Sequence, residues 1–284
     1  NLVAINKISQ DRQKFSIIGM VSEKRITKNK NLSITFEDLT GRVKGIVKEN
    51  SDCYSKAAEL QLDDVVAVSG FGKNGFIFVQ DIVYPDSFKE KVNFENDVSV
   101  AFVSDVHVGS KNHLGSEFEK FIEWINSDNE TAQKIKFIFF VGDNVDGVGI
   151  FPGQERLLTV KSLREQYSLL ANYLHRIPKH ITLFMCPGQH DSVRVAEPQP
   201  VIDNFYGAPL YSIPNLVLVS NPTMVKLLEG DKEFKVLMYH GASIHHFINE
   251  IDELRLLKAH RCPAKAVKHM LKRRHLAPTH GVSP

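Results

Sequence analysis

Four short polar segments hold the residues best suited to chemistry: Asp105-Val106-His107, Gly142-Asp143-Asn144-Val145-Asp146, Gly188-Gln189-His190-Asp191 and His240-Gly241. Carboxylate oxygens are hard ligands and imidazole nitrogens borderline ones, a mixture that suits divalent transition metals. Asp105 and His107 face the same way if their segment stays extended, because side chains alternate along a strand. A carboxylate such as Asp143 can bridge two cations, and Gly142 and Gly188 allow tight turns that bring backbone close to them. The chemistry expected of such a set is hydrolysis of a phosphate ester. Two cations, about 3.5–4 Å apart, would clamp the phosphate and activate a water. Each segment alone is weak: Asp-x-His and Gly-Asp-x-x-Asp occur in ordinary turns, and a histidine after a strand is often just solvated. No Ser-His-Asp arrangement or phosphate-binding glycine loop competes.

The segments gain weight from what precedes them. Apolar runs of buried-strand type at 98–103, 135–141, 181–186 and 234–239 each lead directly into one of the four. Open α/β sheets bind ligands at the carboxyl ends of their strands, so four such loops could share one cleft. A further strand is expected at 216–219. Helical periodicity at 117–125, with Phe118, Phe121, Ile122 and Ile125 on one face, and at 163–174 completes an alternating α/β pattern. The first ninety residues differ. Strands are expected at 15–21, 32–36, 43–47, 65–69 and 76–79, with a turn at 37–41 and a helical segment at 55–60. Five strands with a helix between the third and fourth is the order of an OB-type barrel, another small β-domain being the alternative. Residues 85–96 read as the linker, so the expected domains are 1–90 and 91–284.

Composition sets the outer bounds. An apolar share of 43% and a charged share of 24% are those of a globular protein, and 35 basic against 33 acidic side chains give a net charge of +2. That balance neither requires nor excludes nucleic acid. Three separated cysteines without a Cys-x-x-Cys favour a reducing compartment over a disulfide framework. No apolar run reaches membrane-spanning length and no leader-like segment opens the chain, so a cytoplasmic protein with no membrane partner is expected. The chain starts at Asn1 rather than Met and stops in a loop-like stretch, so both ends are expected to be cut from a longer protein.

The four segments resemble the motifs of calcineurin-like metallophosphoesterases. The match to one branch is closer. Residues 102–110 (FVSDVHVGS), 145–149 (VDGVG), 151–154 (FPGQ), 196–200 (AEPQP) and 271–278 (LKRRHLAP) look like the small subunits of archaeal family D DNA polymerases, and the likeness spans nearly the whole chain. The resemblance implies an OB-type barrel followed by a metallophosphoesterase β-sandwich flanked by helices. It implies a 3′→5′ proofreading exonuclease that acts on single-stranded 3′ ends of DNA and is paired with a large catalytic polymerase subunit, with other replication factors as further partners. It implies two metal ions, with Asp105 and His107 on the first, Asp143 bridging, and Gln189 and His240 on the second. Mn²⁺ is expected first, with Fe or Zn²⁺ also fitting, ahead of Mg²⁺, which prefers oxygen shells. His190 would face the scissile phosphate, and Asp191 would orient it.

Two departures from the family pattern stand out. Gln189 replaces the usual Asn, one methylene longer, and no Gly-His-x-His follows late in the chain, where the pattern has a further histidine for each metal; His280, in Thr279-His280-Gly281, does not match. These departures favour a second reading, a scaffold with little or no activity that stabilises the large subunit. A phosphatase acting on other phosphates is a third. Arg194 is the candidate for a substrate phosphate contact. The basic stretch 268–275 and His113, His245 and His246 are expected to be mainly solvated. Phe36, Phe71, Phe76 and Phe78 are expected to serve the barrel's packing or a subunit contact rather than DNA.

Overall fold

Alternation of apolar and polar residues drives the first part of the chain into strands. The computed structural model describes residues 1–8, 13–73, 75–86, 92–257 and 263–276. Strands β1 (Lys14–Ile26), β2 (Leu32–Asp38), β3 (Gly41–Val47), β4 (Val65–Lys73) and β5 (Phe76–Val83) close into a barrel in the order β1-β2-β3-β5-β4, with helix α1 (Tyr54–Ala58) between β3 and β4. This is the expected OB-like architecture. Ile17, Ile34, Phe36, Val68, Ile77 and Ile82 fill its interior. Of the four phenylalanines singled out from the sequence, only Phe36 is fully buried. Phe71 and Phe78 are half-buried and pair across β4 and β5, and Phe76 is exposed, because the inward register of β5 belongs to Ile77 and Val79.

The chain divides into two compact units, Asn1–Lys89 with Ser243–Ser283, and Glu90–Ala242. Helices α6 (Ile244–Glu250), α7 (Asp252–Leu256) and α8 (Pro263–Arg273) thus belong with the barrel. A buried ion pair shows why. Arg273 Nε lies 3.2 Å from Asp64 Oδ2, with both side chains inaccessible to solvent, and His275 Nε2 lies 3.1 Å from Asp64 Oδ1. Arg273 also donates to the Glu59 carbonyl (2.7 Å), and Lys272 sits 4.3 Å over the Tyr84 ring. The basic stretch expected to be a solvated face is therefore partly structural.

In the second unit, β6 (Ser99–Val103), β7 (Ile135–Val141), β8 (Thr182–Cys186) and β9 (Leu216–Leu218) form a parallel sheet in sequence order. Helices α2 (Gly115–Ile125), α4 (Leu163–Leu174) and α5 (Asn204–Tyr211) contribute Phe118, Ile122, Leu170 and Leu210 to the core that packs on one face, against Ile138, Phe140, Leu183 and Met185; the short α3 (Glu130–Lys134) precedes β7. The strand expected at 234–239 is not part of this sheet. It is β11 (Lys232–Met238), which pairs antiparallel with β10 (Thr223–Glu229), a strand the sequence reading missed. Val225, Val236 and Met238 of this ribbon pack with Phe139 and Cys186 on the sheet's other face. No helix among the described residues is long and apolar enough to cross a membrane. Cys53 and Cys186 are buried free thiols, and burial pushes Cys186 up to about 12.

Candidate metal centre

Backbone hydrogen bonds stitch the loops that follow β6, β7 and β8 into one platform. Asp105 N–H donates to the Gly142 carbonyl (3.2 Å), His107 N–H to the Asp143 carbonyl (3.0 Å), and Gly142 N–H to the Cys186 carbonyl (3.2 Å). Asp105 and His107 do come together, but not as an extended segment. Their φ angles are +55° and +47°, and that of Asp143 is +49°. Left-handed backbone at residues with a Cβ costs of order 1–3 kcal/mol each and persists where the surroundings enforce it. Gly142, also left-handed (φ +77°), is required by space as well, since a Cβ there would lie 2.2 Å from His240 Nδ1. A Cβ on Gly188 would lie 2.3 Å from Asp143 Oδ1.

Asp143 is the hub. It is buried, and its Oδ2 faces His240 Nε2 at 3.3 Å and His107 Nε2 at 3.7 Å, while Oδ1 accepts the His190 N–H at 2.9 Å. His107 Nε2 also stands 3.9 Å from Asp105 Oδ1. Two ligand atoms each about 2.0–2.2 Å from a shared cation stand roughly 3–4 Å apart, so these separations are also those of ligands that share a cation. The far ring nitrogens are already committed. His240 Nδ1 donates to the Val141 carbonyl (2.9 Å), and His107 Nδ1 meets Asp146 Oδ1 (3.1 Å). Both rings are thereby held with Nε2 turned to Asp143, the orientation that metal-binding histidines take from an outer partner. Asp105, His107 and Asp143 form one trio whose ligand atoms all lie within 4.8 Å; His107, Asp146 and His190 form another. The first fits a cation better, because in the second the Nδ1 atoms of both histidines already bond to Asp146.

The charges point the same way. Burial opposes the imidazolium of His240, yet the hydrogen bond and charge of Asp143 prevail and raise it to about 9. Burial likewise opposes the charge of Asp143, but the His240 hydrogen bond and the His190 N–H hold it below the usual carboxylate range. A carboxylate pocket that draws a proton onto a neighbouring imidazole is one in which a cation is favoured.

The remaining predicted residues fall differently. His190 lies beside the trio, its ring edge-on to His107 at 4.7 Å. Asp191, expected to orient His190, is engaged elsewhere. The carboxylate is 2% exposed and accepts from the N–H groups of Gly188 and Asn144, from the Asn144 amide and from the Tyr167 hydroxyl. Burial pushes its pKa up, against these donors. The partner of His190 Nδ1 is the Asp146 carbonyl oxygen, 2.7 Å away. Gln189 stands in the same loop, its Nε2 buried and without a hydrogen-bond partner. Arg194 is exposed and folds back to donate to the Pro198 carbonyl (Nε, 2.9 Å), rather than reaching toward a phosphate site. His113 is half-buried, bonded to the Val106 carbonyl (2.8 Å), and lines the cleft in front of Asp105 and His107. His245 is exposed on α6 in the other unit, and the His246 side chain and His280 lie outside what is described.

Asp146 is the residue the sequence reading overlooked. It closed one of the four segments but was given no role. Its side chain clamps His107 while its carbonyl clamps His190. Gln154, fully buried, donates from Nε2 to both the carbonyl (2.8 Å) and Oδ2 (3.1 Å) of Asp146, and its Oε1 accepts the Ile150 N–H.

Among known proteins, residues 100–282 match the model of the DNA polymerase alpha/epsilon B-subunit family. The chain belongs to this family. Its curated relatives include the DNA polymerase II small subunit of Pyrococcus furiosus, 37% identical over 99% of this chain and 46% of that protein. That of Methanothermobacter thermautotrophicus is 40% identical over 94% of this chain and 55% of that protein. The resemblance to archaeal family D small subunits is thereby shown. The chain spans about half the length of the curated relatives it matches.

Proposed function

We propose that this subunit hydrolyses DNA from the 3′ end with a pair of divalent metal ions, as the proofreading partner of a large polymerase subunit. The observation that carries the reading is the convergence of Asp105, His107 and His240 on the two-sided carboxylate of Asp143. Asp105 and His107 would hold one cation, His240 the other, and Asp143 both, with Gln189 as the amide that the family resemblance assigns to the second. When bound, such a pair neutralises phosphate charge, acts as a Lewis acid and acidifies water near neutral pH. The chain's own residues do the rest. His107 and His240 are held with their lone pairs forward by Asp146 and Val141. His190, with its Nδ1–H fixed on the Asp146 carbonyl, presents Nε2 to the reacting phosphate; protonated there, it donates that proton to the departing 3′ oxygen. Polarity of cleavage and the large-subunit partner rest on the family, not on this geometry.

A second reading, a scaffold that retains the fold but cleaves poorly, draws on one specific feature: the Gln189 Nε2 buried without a partner. One assay set separates the readings. The complete protein is incubated with Mn²⁺ and 3′-mismatched DNA, beside a phosphomonoester and a His190→Ala variant. Metal-dependent release of mononucleotides that the variant abolishes supports the nuclease. Preferential hydrolysis of the phosphomonoester would favour a phosphatase, and no hydrolysis of either with no bound metal would leave the scaffold.

A further inference from the structure

The cleft in front of Asp105 and His107 has a volume of about 710 Å³, far more than a phosphate group needs. Its chemistry is also wrong for phosphate alone. Away from the carboxylates and imidazoles its wall includes Phe151, Leu114, Leu157 and Phe121, with Ser110 and Asn112 among the polar residues between them. Three of these present large apolar surfaces to solvent: Leu114 is 68% exposed, Leu157 44% and Phe151 42%. Phe151 is placed by the loop after Asp146, where Gly147, Gly149 and Gly153 all adopt left-handed backbone (φ +74°, +78° and +83°). Gln154 ties that loop down by bonding to Ile150 N–H and to Asp146. The loop that carries the ring is therefore tied down by the same residue that fixes the histidine clamp. The ring centroid is 6.4 Å from that of His190, which in turn is 4.7 Å from His107. An exposed aromatic ring thus lies one imidazole away from the candidate metal ligands.

We propose that Phe151, with Leu114 and Leu157 beside it, is a seat for the nucleobase of the nucleotide being removed. This rests on the reading of the Asp105–His107–Asp143–His240 cluster as a phosphodiester site, and it adds what that cluster cannot specify: a substrate that carries an unstacked base. A base is joined to its phosphate through one sugar, so a phosphate held at the cluster carries its base into this apolar part of the cleft. Aromatic side chains accept any base by stacking, because every base has a π-face. A base can reach Phe151 only after leaving the helical stack, and unstacking costs least at a mispaired or single-stranded end. Phe151 thereby becomes a specificity-determining residue that favours unpaired 3′ ends.

The test has a binding arm that does not depend on hydrolysis. The complete protein, carrying His190→Ala to slow cleavage, is titrated with single-stranded DNA bearing 2-aminopurine at its 3′ end, in Mn²⁺. Stacking on Phe151 is expected to quench the probe, Phe151→Ala to abolish the quench and weaken binding about tenfold, and Phe151→Tyr to preserve both. In the hydrolysis arm, Phe151→Ala is expected to raise KM about tenfold more for a base-bearing 3′ end than for one ending in an abasic sugar. No quench with the parent, a quench unaffected by Phe151→Ala, or an equal penalty on both ends overturns the proposal. If the wild-type protein cleaves neither DNA, the exonuclease reading fails, while the base seat is still judged by the quench.

Discussion

Replacing Asp146 by Asn removes one charge without changing shape, and the hydrogen bonds around it fix the consequence. Gln154 cannot turn over: its Oε1 accepts from Ile150 N–H and its Nε2 donates to Asp146 at both the carbonyl and Oδ2. The new amide must therefore turn its oxygen to Gln154 and its NH₂ to His107 Nδ1. Two donors would then face each other unless the imidazole shifts its proton from Nδ1 to Nε2. That tautomer has no lone pair at Nε2, the atom 3.7 Å from Asp143 Oδ2 and 3.9 Å from Asp105 Oδ1. Loss of a partner that orients a metal-binding histidine typically costs 10- to 100-fold in affinity, or about 1.4–2.7 kcal/mol. Asp146→Asn is therefore expected to weaken Mn²⁺ or Zn²⁺ binding by about that factor in a calorimetric titration. In ¹⁵N spectra of the cation-free protein, the His107 ring nitrogens should exchange protonated and unprotonated roles. Unchanged affinity together with an Nδ1–H tautomer in the variant would refute the clamp.

Other outcomes follow from single features. Gly188→Ala drives a Cβ to 2.3 Å from Asp143 Oδ1 and 2.4 Å from its amide nitrogen. It should destabilise by about 1–3 kcal/mol in urea denaturation and reduce metal binding, and a fully native melt with full affinity would count against the packing described. Arg273→Met strands the buried Asp64 carboxylate and should cost about 3–5 kcal/mol, while a loss below about 1 kcal/mol would show that His275 alone compensates. Because His240 is held at about 9 by Asp143 despite burial, a cation must displace a proton from it at lower pH. Affinity should rise about tenfold per pH unit from 7 toward 9 and then level off, and a flat profile would contradict the pairing. The sign for stability is opposite. The raised value means that the His240–Asp143 pair contributes fully to the cation-free protein below pH 6.5, and the contribution is lost as pH rises through 9.

Much of the scaffold was legible because periodicity is local. The buried runs that became β6, β7 and β8, the helix 163–174 and the barrel order all follow from side-chain patterns a few residues long. The site was legible as residue types at strand ends, and three of its loops do converge as the parallel sheet requires. What escaped depended on partners distant in sequence. His240 arrives from an antiparallel ribbon rather than the parallel sheet, because β10 pairs with β11 and supplies Val225 to the second apolar layer. The left-handed turns at Asp105, His107 and Asp143 are imposed by hydrogen bonds between loops some forty residues apart, and no propensity of Asp or His announces them. Arg273 looked like surface charge, since nothing near it in sequence reveals Asp64, 209 residues earlier. Asp191 looked like the natural partner of its neighbour His190, yet burial under Tyr167 and Asn144 gives its carboxylate four better donors.

Anomalous diffraction from crystals of the complete protein soaked in Mn²⁺ bears most directly on whether these side chains form a metal centre. Two scatterers are expected on either side of Asp143, one bound by Asp105 Oδ1 and His107 Nε2 and the other by His240 Nε2. Strong manganese signal elsewhere in the crystal, with none within bonding distance of Asp143, would contradict it.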